Sequence, residues 1–325
     1  MGEYPNFLFP RIGGDTMRKE IVVSNERDIP LPISRKIKKP KNIAIYLMTV
    51  PAVLLFAMFH TFPAIQGIFY SFTNWDGLSL TYDFVGLKNY YYLFQDENVL
   101  HSYLFTFKFA FVSTVLVNVL SLLIAIGLNE KIKFKNFFRA VYFLPNILSV
   151  LIVGYIFNYL FANVLPLLGE KLGIDVLSTN ILGNEKLAWI GIVIVAVWQA
   201  CAFNTILYLA GLQTVPLELY EAASLDGASK WQKFWHITFP MIAPFFTINM
   251  VLAMKNFLMV FDQVVALTGG GPGKATQSIS LLIYTGGFQG GEFAYQSANG
   301  VIYFIVIMIV SVVQIKFLQK REVDM

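Results

Sequence analysis

The chain has 325 residues, of which 56% are hydrophobic and 14% are charged, and its formal net charge is +4 at pH 7. Soluble proteins carry about 25% charged residues, so this composition excludes a soluble enzyme, a nucleic-acid-binding protein and a disordered scaffold. Because one helical crossing of a bilayer takes ~20 apolar residues, the chain has room for about five to seven crossings. We therefore predict an all-α polytopic membrane protein.

Apolar runs divide the chain into a tail, six spans and a second tail. Residues 1–42 are polar and basic, and we expect them to form a cytoplasmic tail without a cleaved signal peptide. The first span begins near Ile43 and is predicted to break or bend near Pro63, since proline interrupts helical hydrogen bonding. The other predicted spans cover residues 103–128, 140–162, 188–212, 241–267 and 293–316. The transmembrane domain thus extends over 43–319, and residues 320–325 form a second cytoplasmic tail.

The distribution of basic residues orients these spans, because lysine and arginine are enriched in the cytoplasmic loops of membrane proteins. Eighteen of the 24 lie in the two tails and in the loops that follow the second and fourth spans, whereas the alternate loops contain four. Both termini are therefore expected to be cytoplasmic, which agrees with an even number of spans. The alternative is five or seven spans with one terminus outside.

The cytoplasmic loop at 213–240 has the local signals of two short helices. Pro216 suits a first helical turn, and Gly227 stands where a left-handed residue would end the helix. Ser229 followed by Gln232 forms a potential capping box for a second helix. A helix, a glycine turn and a second helix in succession indicate a rigid projection from the membrane. Its aromatic and small side chains would meet a partner. In the alternative interpretation, three of its aromatics tuck beneath the spans: Trp231, Phe234 and Trp235.

Two sequence patterns in and around this loop carry a family resemblance. The run from Glu221 to Ala228 reads EAASLDGA. Nine residues separate its Gly227 from the sequence ITFP at 237–240. This pattern resembles the EAA loop of bacterial ABC importer permeases, with Phe239 where leucine is usual. The flanking stretches LAGLQTVPLELYEAASLDGAS and FDQVVALTGGGPGKATQSISLLIY resemble the carbohydrate subfamily, which contains the maltose- and multiple-sugar-type permeases.

The resemblance implies a type I ABC importer permease fold, in which this loop forms a coupling helix that docks on a cytoplasmic ATPase. By similarity, the residues in contact with the ATPase are Glu221, Ala222, Ala223, Leu225, Asp226, Gly227 and Ala228. The implied assembly contains a second, related permease chain, two copies of an ATPase that holds the ATP and magnesium, and an extracellular sugar-binding lipoprotein. The implied cargo is a carbohydrate, with an oligosaccharide favoured, and the implied location is the bacterial cell membrane.

The glycine-rich run Gly269–Lys274 does not make this chain an ATPase. A P-loop requires G-x-x-x-x-G-K-[ST], but Thr268 occupies the first glycine position and Ala275 follows the lysine. The three histidines are scattered, and no nucleophile or metal-ligand spacing is present. We therefore expect no catalytic, cofactor-binding or metal-binding residue and no enzymatic activity in this chain, with ATP hydrolysis on a separate subunit.

Polar side chains within the spans are candidates for contact with the cargo, because such groups usually face a bundle interior or a water-filled cavity. Asn249, Asn256 and Gln263 are spaced by seven residues and would share one stripe of the fifth span. The fourth span adds Gln199, Asn204 and Tyr208. Amides can hydrogen-bond sugar hydroxyls, whereas the alternative is that they bond neighbouring helices as packing contacts.

Two rival functions remain at this stage. Within the same family, the cargo could be another polar solute such as glycerol phosphate, although no arginine lies within any predicted span to bind a phosphate. From a different class, the chain could be an ATP-independent secondary transporter. That reading requires inverted repeats, broken helices and ion-coupling groups at the membrane midplane, and the pair of intramembrane charges Lys255 and Asp262 does not make such a set.

Overall fold

The structure is a computed structural model that describes residues 43–130 and 133–320. Within these residues the regular structure is helical, and β pairing is limited to an isolated antiparallel bridge between Thr73 and Phe84. The α-helices are α1 Ile43–Phe56, α2 Phe62–Tyr70, α3 Lys88–Leu93, α4 Glu97–Asn129, α5 Lys135–Ile147, α6 Val150–Tyr159, α7 Leu165–Leu172, α8 Ala188–Thr214, α9 Leu217–Leu225, α10 Lys230–Lys233, α11 Phe239–Met241, α12 Ala243–Leu258, α13 Asp262–Leu267, α14 Ile279–Tyr284 and α15 Phe293–Gln319.

Short segments of other helical types join several of these helices. Five-residue π-helical segments occur at Ala57–Thr61, Leu160–Val164, Phe234–Thr238 and Thr285–Gln289, and 3₁₀ turns at Asp175–Leu177 and Ile181–Gly183. Contacts divide the chain into two units, Met1–Leu54 and Leu55–Met325. The described part of the first unit is helical. The second unit contains all the sites discussed below.

Five helices of the described chain are long and apolar enough to cross a membrane. They are Leu47–Tyr70, Glu97–Asn129, Val150–Leu172, Ala188–Thr214 and Phe293–Gln319. A bent pair of helices, Lys230–Met241 and Ala243–Leu258, meets the same criteria when it is counted as one span, with a bend of 69°. The prediction of an all-α, six-span membrane protein is therefore confirmed.

Three of the predicted spans, the first, the third and the fifth, differ in form from the structure. The first span is not broken at Pro63, because a π-helical segment directly before it accommodates the ring at the start of α2. The predicted third span, 140–162, is wrong: α5 ends at Ile147 and a new helix begins at Val150. The predicted fifth span, 241–267, is also wrong, because α12 ends at Leu258. The fourth and sixth spans begin where the sequence predicts.

The core of the second unit lies where α4, α8 and α12 pack together. Phe109, Ile192 and Leu258, one from each of these helices, are fully buried. Small and hydroxyl side chains line the same faces and let the backbones approach, as is usual in membrane helix bundles. In contrast, the sixth span keeps a row of exposed apolar side chains from Phe304 onward, among them Ile309 and Val313, so this surface is available to lipid or to another subunit.

Loops from distant parts of the chain meet at the end of the bundle opposite the 213–240 loop. The backbone N–H of Ala294 donates to the carbonyl of Trp75 over 2.9 Å. The ammonium of Lys274 donates to the side-chain oxygen of Asn98 over 3.0 Å. These bonds join the loop after the first span to the start of the sixth span, and the loop after α13 to the start of the second span. We call this region the loop end of the bundle.

Candidate coupling site and solute path

The first helix of the 213–240 loop ends in the turn that the sequence predicts. Helix α9 begins after Pro216, and Gly227 adopts φ +74°, in the left-handed region. The N–H of Ala228 bonds the carbonyl of Ala223 over 2.9 Å, and the N–H of Gly227 bonds that of Ser224 over 3.2 Å. This pair of bonds defines a Schellman motif, so two carbonyls that the helix end would leave unpaired are satisfied.

The second helix begins with the predicted capping box. The N–H of Gln232 donates to the Ser229 hydroxyl over 3.3 Å, and the Ser229 N–H donates to the Gln232 side-chain oxygen over 2.8 Å. A contact that the sequence analysis missed joins the two helices: the ammonium of Lys233 donates to the Ser224 hydroxyl over 2.6 Å. The turn at Gly227 is therefore fixed on both sides, and α9 and α10 form one rigid unit, here called the knuckle.

The knuckle is anchored to the ends of the spans through Tyr220. Its hydroxyl lies 2.8 Å from the hydroxyl of Thr238, which is buried. Its ring packs against a buried cluster that includes Tyr208 of α8, Leu128 of α4 and Ile242 at the start of α12. Movement of the knuckle would therefore be transmitted to three core helices at once.

The predicted partner-contact residues lie on the open side of the knuckle. Ala223 and Ala228 are partly exposed, and the other five are exposed. Leu225 is 91% exposed at the end of α9. A leucine beside small residues and two acids offers an apolar contact with a charged rim, which is the arrangement of a docking surface.

The aromatics of this loop are only partly covered. Phe234 is half-buried and contacts Phe239, whose ring contacts Phe246 of α12. Trp231 is 69% exposed and Trp235 45% exposed. The interpretation that all three rings tuck beneath the spans is therefore wrong for the two tryptophans. They extend the apolar surface of the knuckle.

The three amides predicted to share a stripe have different environments. Asn249 is fully buried, and its side-chain nitrogen donates to the Asn204 carbonyl over 3.4 Å. Asn256, in the same helix, is exposed, and Gln263 is half-buried in α13 beyond the helix break. The continuous polar stripe is therefore wrong, because the helix does not continue from Leu258 to Gln263.

The candidates of the fourth span are internal to the bundle. Asn204 is buried and donates to the Ala200 carbonyl over 2.8 Å. Tyr208 is fully buried, and its hydroxyl donates to the Asn118 side-chain oxygen over 2.5 Å, which joins α8 to α4. The Tyr208 contact matches the alternative in which polar side chains hold helices together, whereas the Asn204 side chain bonds a carbonyl of its own helix.

Gln199 has a specific structural role. Its side-chain nitrogen donates to the carbonyls of Pro145 and Leu148 over 3.3 and 3.1 Å. These carbonyls lie at the end of α5, where the helical hydrogen bonds stop. Gln199 thus caps the break that divides the predicted third span, and this contact favours the alternative in which its amide bonds a neighbouring segment.

One cation within the spans has an aromatic partner that the sequence analysis missed. The ammonium of Lys108 lies 3.8 Å from the centre of the Trp189 ring. Lys108 is on α4 and Trp189 is at the start of α8, and the two residues line a cavity of about 530 Å³ near the loop end of the bundle. The cation–π contact offsets part of the cost of placing a lysine in a span.

The sequence of the chain is similar to those of known transport proteins. A family model described as "Binding-protein-dependent transport system inner membrane component" matches residues 117–323. The multiple sugar-binding transport system permease protein MsmF of Streptococcus mutans is 44% identical over 85% of this chain and 95% of its own length. A probable starch degradation products transport system permease protein, AmyD of Thermoanaerobacterium thermosulfurigenes, is 38% identical over 90% of this chain and all of its own length.

A solved structure has the same fold. It is a chain of a bacterial ABC transporter involved in the import of the acidic polysaccharide alginate, and it matches with a TM-score of 0.75. The match covers 86% of this chain and 96% of the other chain, at 23% sequence identity. At that identity the likeness concerns the fold.

Proposed function

The chain belongs to the family of binding-protein-dependent transport system inner membrane components, and from this membership we propose that it is the permease subunit of an ATP-driven carbohydrate importer. Such a subunit forms part of the membrane pathway and converts movements of an ATPase into movements of helices. It is a multi-pass membrane protein, and we place both termini in the bacterial cytoplasm, on the side where basic residues are concentrated.

The observation that carries this proposal is the construction of the knuckle. Its predicted contact residues are exposed around a Schellman turn, while Tyr220 and Thr238 tie its base to the core. A rigid, exposed contact surface connected to three core helices is what mechanical coupling to a partner requires. We propose that this partner is a cytoplasmic ATPase, and that ATP and magnesium bind there.

A second permease chain completes the assembly in this proposal. The chain has one coupling loop, whereas an ATPase dimer offers two docking sites, so each ATPase subunit would engage one permease. The exposed apolar side chains in the C-terminal half of the sixth span provide a face for the second chain, and Asn256 of α12 is exposed as well. We propose that this second chain is a different but related permease.

The proposed cargo is a carbohydrate, and an oligosaccharide is favoured. Support comes from the two relatives named for multiple-sugar and starch-product transport. The candidate spans contain no arginine, which favours a hydroxyl-rich solute over a phosphate. We propose that an extracellular sugar-binding lipoprotein delivers the cargo, and that Asn256 and Gln263 lie along its path.

Co-purification and transport together test this proposal. The tagged full-length chain would be extracted from its native membrane in mild detergent and its partners identified by mass spectrometry. The purified assembly would then be placed in liposomes and assayed for uptake of radiolabelled maltotriose, raffinose and trehalose with and without internal ATP. We expect an ATPase and a second permease to co-purify, and uptake to require ATP. Uptake by the chain alone without ATP would contradict the proposal in favour of a secondary transporter.

A further inference from the structure

A polar cavity of about 440 Å³ opens at the loop end of the bundle, away from the knuckle. Three separate segments form it: residues 74–75 after the first span, residues 89–96 before the second, and residues 291–295 at the start of the sixth. Its volume lies within the range of small-molecule sites, roughly 300 to 1,000 Å³. No residue of the knuckle or of the predicted solute path contributes to it.

Hydrogen bonds among the three segments hold the cavity in shape. The Ala294 N–H donates to the Trp75 carbonyl over 2.9 Å, and the Tyr295 hydroxyl donates to the Asp96 carboxylate over 2.9 Å. The side-chain nitrogen of Asn89 donates to two backbone carbonyls of the loop after the first span, over 2.9 and 2.7 Å. A cavity fixed in this way costs little conformational entropy when a ligand binds.

Several polar groups of the cavity keep hydrogen-bonding capacity for a ligand. The side-chain nitrogen of Asn89 is occupied, which leaves its oxygen as an acceptor. Among the described residues, the side-chain amide of Gln95 and the hydroxyl of Tyr92 have no hydrogen-bond partner on the chain, and both residues are exposed at the cavity. One carboxylate oxygen of Glu292 accepts a hydrogen bond from the side-chain nitrogen of Gln296 over 3.3 Å.

The charges of the cavity discriminate between ligand classes. Burial alone would raise the pKa of Asp96, but the hydrogen bonds from the Tyr295 hydroxyl and the Asn98 N–H outweigh this effect. The pKa is lowered overall, so the carboxylate remains ionised. Asp96 and Glu292 therefore disfavour an anion. Both oxygens of Asp96 already accept a hydrogen bond, one from Tyr295 and one from the Asn98 N–H, and among the described residues no group of three or more carboxylate, histidine or cysteine side chains is placed to hold a metal ion. A neutral ligand with many hydroxyls fits the remaining groups.

We propose that this cavity is an external saccharide-binding site, which holds one end of a neutral sugar chain before translocation. The amides and carboxylates would bond pairs of hydroxyls, while the rings of Tyr92 and Trp75 would lie against the C–H faces of a sugar ring. The inference rests on the proposed function, because it assumes that carbohydrate reaches this side of the membrane.

The test measures sugar binding to the full-length chain in nanodiscs without any binding protein. Ligand-observed saturation-transfer NMR with maltotriose, raffinose and trehalose suits weak binding. Tyr92→Ala and Gln95→Ala remove cavity groups, whereas Tyr91→Ala removes a neighbouring ring that is 64% exposed and outside the cavity. We expect roughly 3- to 10-fold weaker binding for Tyr92→Ala, the effect of losing one ring contact, and no change for Tyr91→Ala.

Uptake by the complete importer in liposomes separates this inference from the proposed function. If the parent importer transports sugar but Tyr92→Ala and Gln95→Ala bind it as tightly as Tyr91→Ala does, the cavity inference is overturned and the transport function stands. Reduced uptake in these variants with unchanged sugar binding would also overturn it, in favour of a protein-docking role. A parent assembly that transports no sugar contradicts the proposed function itself.

Discussion

Replacement of Gly227 by alanine isolates the contribution of one backbone conformation to coupling. Gly227 has φ +74°, and no heavy atom lies within 4 Å of the position that a Cβ would occupy. The substitution therefore causes no clash, and its cost is the strain of an L-residue in the left-handed region, about 1 to 2 kcal/mol. In the alanine variant this strain favours other conformations of the turn, whereas a partner that fits the knuckle requires the left-handed one.

We expect that strain to weaken docking of the ATPase by about 5- to 30-fold, since ~1.4 kcal/mol corresponds to a factor of ten. The assay is the affinity of the purified ATPase for the permease assembly in nanodiscs, together with sugar uptake per ATP hydrolysed in liposomes. Gly173→Ala is the matched control. Gly173 also ends a helix, at φ +69° and with no neighbour within 4 Å of a Cβ, but it lies far along the chain from the knuckle.

The outcome depends on the comparison between the two variants. If Gly227→Ala binds the ATPase with parental affinity and transports normally, the left-handed turn is not needed for docking and the reasoning is refuted. If Gly173→Ala has the same defect as Gly227→Ala, the effect is one of general stability and the assignment of the knuckle is equally refuted. Gly227→Asn should be milder than alanine, because asparagine tolerates this backbone region.

Other variants test the remaining assignments. Glu221→Lys reverses a charge on the exposed side of the knuckle, so the assembly should insert normally but lose most ATP-driven uptake; parental uptake would remove Glu221 from the contact surface. Tyr208→Phe leaves the side-chain oxygen of Asn118 buried without its partner, which should lower stability by about 1 to 3 kcal/mol in thermal unfolding; an unchanged melting temperature would contradict this link between α4 and α8. Asn256→Ala should change the apparent affinity for sugar in uptake assays while Asn249→Ala mainly lowers stability, and the reverse result would place the path inside the bundle.

The knuckle is the part of the site that the sequence predicts best, because its signals are local. A left-handed glycine and a capping box depend on residues within a few positions of each other, and both occur where the sequence places them. The anchor between Tyr220 and Thr238 crosses 18 positions and was not predicted. Local rules describe the form of the loop, whereas its attachment depends on the packed bundle.

The helix break after Leu258 illustrates what the sequence does not reveal. No glycine or proline occurs between Asn256 and Gln263, so the run reads as a continuous helix. The break is supported from another segment: the hydroxyl of Ser278 donates to the carbonyl of Val260 over 2.9 Å. Gln199 does the same for the end of α5. Because these partners come from distant positions, a periodicity argument cannot detect them.

The burial of polar groups indicates where a solute could pass. Within the described bundle, the Tyr208 hydroxyl donates to the Asn118 side chain of α4, and the Asn204 side-chain nitrogen donates to the Ala200 carbonyl of its own helix, so both donors are already used. A path through that interior would require these bonds to break, at a cost of roughly 0.6 to 2 kcal/mol each. Asn256 is exposed and Gln263 is half-buried, and they bear no such constraint. The path is therefore better placed on a face of this chain than within it, and a face becomes a closed path only when a second permease covers it.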